Sequence, residues 1–455
     1  VDMYESPKDS TAQLTRFLAV LAQHRESLEQ QREDIEVTLA EIAEAAELRT
    51  IHVVAWRDFD DAEAGGSELH AHRVLSAWAA AGMEVVMTTS AVAGAPRVVT
   101  RSGYRVLRRL GRYQIFPRTM LSGALGHLGQ VDGVVEIWNG MPFFSPLWAR
   151  CPHIVFLHHV HGEMWKMALP RGLAELGHGL ERHVAPPVYR RTSVVTLSES
   201  SKEEIVDQLG LPASHVTVSP PGVEPRFTPG GEKSAVPLIV AVGRLVPVKR
   251  FERTIDAALA LKDRHPDLQV VIAGEGYERD TLEERIRAAG AESWLRLPGF
   301  VTDDELVELY RSAWAVTSSS LREGWGMTIT EAGACGTPTV ATRISGHVDA
   351  IEDGVSGRLV DTTDEMVAAL DQILSDDALR TGLGAGALRQ AARFHWDETA
   401  RLTLAVLAAD PSTPPMVMVT HHLEELPAGL THVALLRQGR LVAAGPVDEV
   451  LVDGP

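Results

Sequence analysis

The stretch Ala315–Ile351, AVTSSSLREGWGMTITEAGACGTPTVATRISGHVDAI, carries the most information about the chain. Trp314–Ser318 is a short apolar run of the buried-strand kind, and Gly324-Trp325-Gly326 breaks it. Met327–Ala334 follows with Ile329, Ala332 and Gly333 spaced for one packed helix face. Gly336-Thr337-Pro338 stops that helix, and Thr339–Thr342 restarts as a strand. A strand-to-helix turn with glycines is a natural anion seat, because free amides and the helix dipole both point at it. The amides of Gly326, Met327 and Thr328 would hold phosphate oxygens. Two carboxylates bracket the turn: Glu323 before it, and Glu331 roughly one and a half turns into a helix of ~3.6 residues per turn. They are placed to hold sugar hydroxyls. Any αβ unit also carries a glycine turn and some surface glutamates, so spacing alone leaves both readings open.

The same residues resemble the signature of retaining glycosyltransferases of family 4, which have two Rossmann-like domains facing a cleft (the GT-B architecture). The family pattern E-G-F-G, a second E eight residues after the first, then A-x-x-x-G-x-P-V-V stands here as Glu323-Gly324-Trp325-Gly326, Glu331-Ala332 and Gly336-Thr337-Pro338-Thr339-Val340. Trp325 for Phe is a mild departure. Ser345-Gly346-His347-Val348-Asp349 replaces a common G-G-x-x-E, so the loop that often approaches the donor sugar is less typical here.

A chain of 455 residues exceeds a usual single domain, so at least two are expected. The hydrophobic content of 45% is globular, no run approaches the ~18 apolar residues that span a bilayer, and no signal peptide is read before the first domain. Cys151 and Cys335 sit in hydrophobic contexts, as suits a reducing cytoplasm. A net charge of −18 argues against non-specific binding to nucleic acid or bulk anionic membrane. Arg101, Arg105, Arg108, Arg109, Arg112 and Arg118 crowd one short region. A solvated face is the first reading of it, and a lipid-surface patch, hence peripheral membrane contact, the second.

Residues 1–48 do not begin an αβ domain. Leu14–Leu48 reads as one long amphipathic helix, with Leu18, Leu21, Leu28, Ile35, Leu39 and Ile42 at coiled-coil spacing. It resembles the dimerisation helix of MerR-type regulators without their DNA-reading module, and would make a dimer through residues 14–48. From Ile51 a strand runs into Gly65-Gly66-Ser67 and a helix with Ala71, Val74, Leu75 and Trp78 on one face. That is the strand-to-helix position where open α/β sheets bind ligands. The resemblance puts such a loop under the acceptor and near the donor phosphates. Further strands are predicted at Val131–Trp138, Ile154–His158 and Val194–Leu197. His158, His159 and His161 invite a zinc reading, but no cysteine or paired spacing supports one. The resemblance implies no metal and no cofactor, and makes His158 face the transferred sugar, while Ser198 caps a helix and lines the cleft.

Val218–Pro237 is Pro/Gly-rich and reads as the hinge. Beyond it, Arg244 and Lys249 stand at a helix start, where cations oppose the dipole unless an anion joins them. The resemblance makes them a diphosphate clamp, and lays Gly299 and Phe300 along the nucleotide base. The tail from Met416 resembles the end of an ABC-transporter ATPase, with His421 at its switch position, but the chain has no Walker A loop. Flanks like pieces of two unrelated families suggest a composite chain.

The expected plan is therefore α/β: a helical extension (1–48), an acceptor domain (49–228), a nucleotide-sugar domain (229–394), a helix crossing back (395–410) and a β-rich appendage (411–455). The expected function is metal-independent retaining transfer of a hexosyl group from a nucleotide diphosphate sugar to a glycan, lipid or small-molecule acceptor. Arg244, Lys249, Glu323 and His158 would be catalytic, with no nucleic acid as partner. The alternative is a non-catalytic GT-B scaffold that dimerises through the N-terminal helix.

Overall fold

The computed structural model describes residues 29–410, except 31, 45 and 169, together with the strands His432–Arg437 and Arg440–Pro446. Leu18, Leu21, Leu28 and His421 lie outside the described residues.

Two sheets organise the molecule. The first contains β1 (Thr50–Val54), β2 (Glu84–Thr89), β3 (Val98–Arg101), β4 (Tyr104–Arg108), β5 (Gly133–Ile137), β6 (His153–Phe156), β7 (Ser193–Thr196) and β8 (Val216–Val218), in the order β3-β4-β2-β1-β5-β6-β7-β8. Its pairs are parallel except for the β3–β4 hairpin. The second contains β9 (Leu238–Val242), β10 (Gln269–Ala273), β11 (Leu295–Gly299), β12 (Ala315–Ser318), β13 (Thr339–Thr342) and β14 (Gly357–Val360), all parallel, in the order β11-β10-β9-β12-β13-β14. These strands read as near-continuous apolar runs because helices cover both faces of a parallel sheet. In each sheet the order reverses at the first strand, between β1 and β5 and between β9 and β12. Such switch points open a crevice at the strands' carboxyl ends.

The strands expected near residues 51, 131, 154 and 194 are present, and the signature stretch is strand, helix Met327–Ala334, strand, as read. The basic region is different. Arg101 and Arg108 lie on β3 and β4 and turn inward onto Asp58, which is fully buried, while Arg112 pairs with Asp61 and Glu63. Neither a solvated face nor a lipid patch describes these three. The hairpin sets them against the acidic loop Asp58–Glu63, where opposite charge compensates burial. The Asp58 carboxyl is held below its usual range: burial alone would raise it, and hydrogen bonds from Arg108, the Asp60 amide and Arg101 outweigh that.

The N-terminal helix also differs from expectation. Residues 32–44 are helical, but Leu39 and Ile42, two of the expected seam positions, are buried with Ala43, Ala46 and Leu48 in the core of the first domain. Their apolar face is committed to this chain. The helix Trp396–Ala408 packs into the same core through Ala400, Leu404 and Leu407, and Trp78 Nε1 donates to the Ala400 carbonyl at 3.0 Å. Beyond residue 410, β15 (His432–Arg437) and β16 (Arg440–Pro446) form an antiparallel hairpin. No helix among the described residues is long and apolar enough to cross a membrane.

Leu39→Ala should therefore lower the unfolding free energy by about 2–5 kcal/mol, the range for a buried leucine. Chemical denaturation at two protein concentrations checks this. A core role gives the same loss at both, whereas a dimer seam gives a loss that depends on concentration.

Candidate active site in the interdomain cleft

The first strand of each domain ends in a turn that faces the other domain. After β1, Gly65 caps the helix Gly66–Ala80, and Glu68 closes a capping box by accepting from the Gly65 amide at 2.8 Å. Ser67 is the second residue of that helix and is half-buried. After β9, Arg244 reaches across and donates to the Glu63 carbonyl at 3.1 Å. A Cβ on Gly65 would lie 3.4 Å from Arg244 Nε, and one on Gly66 would lie 3.2 Å from Met327 Sδ, at the head of the signature helix. Two helix N-termini and a guanidinium meet here, and a methyl group at either glycine would press only on the movable ends of the Arg244 and Met327 side chains.

The signature turn is equally close to the first domain. A side chain on Gly324 would run into the His158 carbonyl, so only glycine fits. Ser198 Oγ sits 3.1 Å from the Gly324 carbonyl, and Arg322 donates to the Val160 carbonyl at 3.1 Å and to Glu204 at 2.7 Å. Gly326 adopts φ +100°, a left-handed conformation that glycine takes freely, and caps helix Met327–Ala334 with no side-chain acceptor. The amides of Met327 and Thr328 fall in the first turn, where an α-helix offers no acceptor of its own. Ile329 N is already bonded to the Gly326 carbonyl at 2.9 Å.

Glu323 stands between Lys249 and the turn. It pairs with Lys249 Nζ and accepts from Ser320 Oγ at 2.7 Å. Burial would raise its carboxyl, but Lys249 and His347 hold it down to about 2. It is a carboxylate at any working pH. The Lys249 on which this depends ends the short Pro247–Lys249 turn, which leads into the helix Phe251–Leu261. His347 is buried with Nδ1 2.8 Å from the Thr342 carbonyl and Nε2 3.3 Å from Ser318 Oγ.

Glu331 is set apart from this group. It lies buried on the same helix, but its partner is the Tyr310 hydroxyl at 3.1 Å. Burial, reinforced by the nearby Glu224 carboxylate, pushes it up to about 7 against the Tyr310 hydrogen bond. The two signature carboxylates thus have opposite protonation tendencies. Gly299 ends β11 beside the Gly274 turn, its carbonyl accepting from Gly274 N at 2.8 Å, and Phe300 projects with 81% of its surface exposed.

His158 follows β6 and is buried, with Nε2 3.2 Å from Nδ1 of His70. Burial pushes His158 down to about 3 and His70 down as well, so both rings are neutral. His159 and His161 stack with ring centroids 4.9 Å apart, and both are pushed down by burial, to about 3 and about 4. The His161 and Gly162 amides both donate to the buried Glu181. Among the described residues no group of three or more His, Cys, Asp or Glu could hold a metal ion.

The fold thus gathers Gly65, Gly66, His158, Arg244, Lys249, Glu323, Gly324, Gly326 and Met327 at the facing strand ends, with Glu331 and Phe300 at the margins. Sequence reasoning missed His70, Arg322, His347 and Asp349. Asp349 accepts from the Glu199 amide at 3.0 Å and from Ser200, across the cleft. His70 left a signal as a polar residue beside Ala71 on the helix's buried stripe, and His347 and Asp349 lie in the loop that replaces G-G-x-x-E, though no role was assigned to them.

Two family models divide the molecule between them. Residues 64–227 match Glycosyltransferase Family 4, and residues 225–390 match Glycosyl transferases group 1. Curated relatives include D-inositol 3-phosphate glycosyltransferases of Acidothermus cellulolyticus, 35% identical over 234 residues (47% of this chain, 52% of the relative), and of Salinispora arenicola, 36% over 233 residues (45% and 52%). The chain spans about half the length of these relatives. Solved structures with the same fold include sucrose-phosphate synthase from Thermosynechococcus elongatus, with TM-score 0.67 and 19% identity over 77% of this chain and 96% of that one. Anabaena HepE in complex with UDP-glucose gives TM-score 0.61 and 18% identity over 78% and 98%. The chain thus has the two-domain GT-B fold of these structures, with the Glycosyltransferase Family 4 match in its first domain and the Glycosyl transferases group 1 match in its second.

Proposed function

We propose that the protein is a retaining glycosyltransferase that moves a hexosyl group from a nucleotide diphosphate sugar to an acceptor hydroxyl without a metal ion. The observation that carries this reading is the cationic seat at the cleft: Arg244 beside Gly65, Lys249 beside Glu323, and the uncapped helix N-terminus at Gly326, all at facing strand ends. A departing diphosphate needs stabilised negative charge, and a guanidinium, an ammonium and first-turn amides supply it. That is the task a divalent cation performs elsewhere.

In the proposed reaction the bond from the anomeric carbon to the phosphate oxygen breaks, and a bond to the acceptor oxygen forms on the same face. The acceptor proton passes to the leaving phosphate oxygen, so no covalent nucleophile is assigned. Glu323, a carboxylate, would hold sugar hydroxyls and stabilise developing positive charge on the ring. Glu331 would bind the ribose, and with its raised pKa would do so as a hydrogen-bond donor below neutral pH. Phe300 would lie along the base. The relatives' names make a phosphorylated polyol the first acceptor to try. A thermal-shift panel of UDP, GDP, ADP and their sugars, followed by initial rates with the stabilising donor, tests the reading. Failure of every nucleotide to raise the melting temperature would overturn it and favour the scaffold.

Arg244→Ala should weaken diphosphate binding by ~1.5–3 kcal/mol, as for a lost charge-assisted contact. Lys249→Met and Glu323→Gln should each impair turnover. Because the two side chains form one ion pair, their double mutant should depart from additivity by ~0.5–3 kcal/mol. Calorimetry with the diphosphate and a kinetic double-mutant cycle measure these effects, and additivity would separate the clamp from the sugar site.

Glu331 generates a pH prediction with a definite sign. Its folded pKa, about 7, lies above the ordinary 4.5, so the stability tied to its protonated form is full below ~4.5 and lost as pH rises through ~7. Glu331→Gln should therefore gain on the wild type between pH 4.5 and 8, by up to about 3 kcal/mol. Denaturation midpoints across that range test it, and a constant difference between the two proteins would refute it.

A further inference from the structure

His70 has no place in the reaction as described, yet it is fully buried and its Nδ1 lies 3.2 Å from Nε2 of His158. The two come from different places: His70 from the second turn of the helix that Gly65 caps, and His158 from the segment that follows β6. The rings meet edge to face, with centroids 4.9 Å apart at 78°. Their outer nitrogens, His70 Nε2 and His158 Nδ1, are buried with no hydrogen-bond partner.

We propose that His70 is a positioning residue for His158. Its Nδ1–H donates to His158 Nε2 and so fixes the His158 proton on Nδ1, the nitrogen left free for a substrate hydroxyl.

The argument is one of proton counting. Two neutral imidazoles carry two protons on four nitrogens. A bond between Nδ1 and Nε2 takes one proton, and the other must then sit on the outer nitrogen of the accepting ring. If His70 donates, His158 bears its second proton on Nδ1. If His158 donates, His158 Nδ1 is bare and His70 Nε2 carries an N–H. The surroundings of His70 decide between these. Its ring is walled by Phe156, with centroids at 5.3 Å, and by Trp396, at 6.0 Å. Phe156 has no polar atom, and the Trp396 indole is a donor whose own Nε1 is unpartnered. Either tautomer leaves one outer N–H unpaired within the chain: on His70 Nε2 it would face only Phe156 and Trp396, with no acceptor in either ring, whereas on His158 Nδ1 it belongs to the residue read as facing the substrate, whose hydroxyl can accept it. His70 is therefore the donor. Burial pushes both pKa values far down, which keeps both rings neutral and the counting valid. His158 in turn abuts Gly324 through its carbonyl and Cβ, which ties the residue to the signature turn.

The inference rests on the reading of His158 as a substrate-facing residue, and the test separates the two. The full chain is labelled with ¹⁵N-histidine, and the His158 signals are identified by their loss in His158→Gln. In the wild type, Nδ1 of both His70 and His158 should show protonated shifts and both Nε2 atoms bare ones. The reverse pattern, which needs no variant to observe, would overturn the proposal. His70→Leu should leave His158 averaging between tautomers. His70→Asn, whose amide nitrogen stands where Nδ1 was, should restore the Nδ1–H form. An unchanged His158 spectrum in His70→Leu would also overturn the proposal. With an active donor, His70→Leu should lower kcat by roughly 10- to 100-fold at near-constant donor KM, and His70→Asn should recover most of it. An unchanged kcat in His70→Leu would refute the positioning role. Absence of turnover in the wild type would instead count against the transferase reading, with the tautomer measurement still deciding the state of the pair.

Discussion

Backbone meets backbone across the cleft at Gly324 and His158, and this close approach governs the rest of the site. Where a Cβ would collide with a carbonyl, the two domains can come together only through glycine, and what they bring with them is then fixed. The signature turn brings a helix N-terminus and Glu323. The opposite side brings His158, and beside it the Gly65-Gly66 turn that receives Arg244 and Met327. Arg322 and Asp349 complete the contact by reaching carbonyl, carboxylate and amide groups of the first domain. A group of cations, amides and carboxylates is thus assembled from parts that neither domain owns alone.

The charges at this seat are arranged in pairs. Lys249 keeps Glu323 ionised in a buried place, and Glu323 keeps Lys249 aimed into the cleft, so each compensates the desolvation of the other. Glu331 lacks such a cation and relies on a phenol, so its environment favours the neutral acid. Two glutamates eight residues apart in one short motif therefore reach the opposite ends of carboxylate behaviour through their neighbours.

Much of this was legible in the sequence. The strand-turn-helix reading of Ala315–Ile351 was right because β-type runs, glycine breaks and a helical face are local signals that the fold does not override. The glycine turns were legible for the same reason. What was not legible depends on contacts far apart in the chain. Arg101, Arg108 and Arg112 looked as exposed as Arg105, Arg109 and Arg118 are, because nothing in their vicinity announces that Asp58–Glu63 lies opposite. Leu39 and Ile42 looked like part of a coiled-coil seam because a helix that packs on its own domain and one that packs on a twin have the same periodicity. The partnership of His70 and His158, 88 positions apart, leaves no trace in either local pattern beyond one polar residue on an apolar stripe.

The core of the first domain is closed by segments from both sides of the described body. Leu48, just before the first strand, and Leu407, near the end of the last helix, both come against Gly133 of β5. That domain is therefore compact in space but divided in sequence, with the whole second sheet inserted between its two parts. During synthesis its sheet can pair long before residues 396–408 emerge, but an apolar strip remains uncovered until they do. The second domain, which is continuous, can finish first. The order in which the two cores become watertight is then the reverse of the order in which their strands are made.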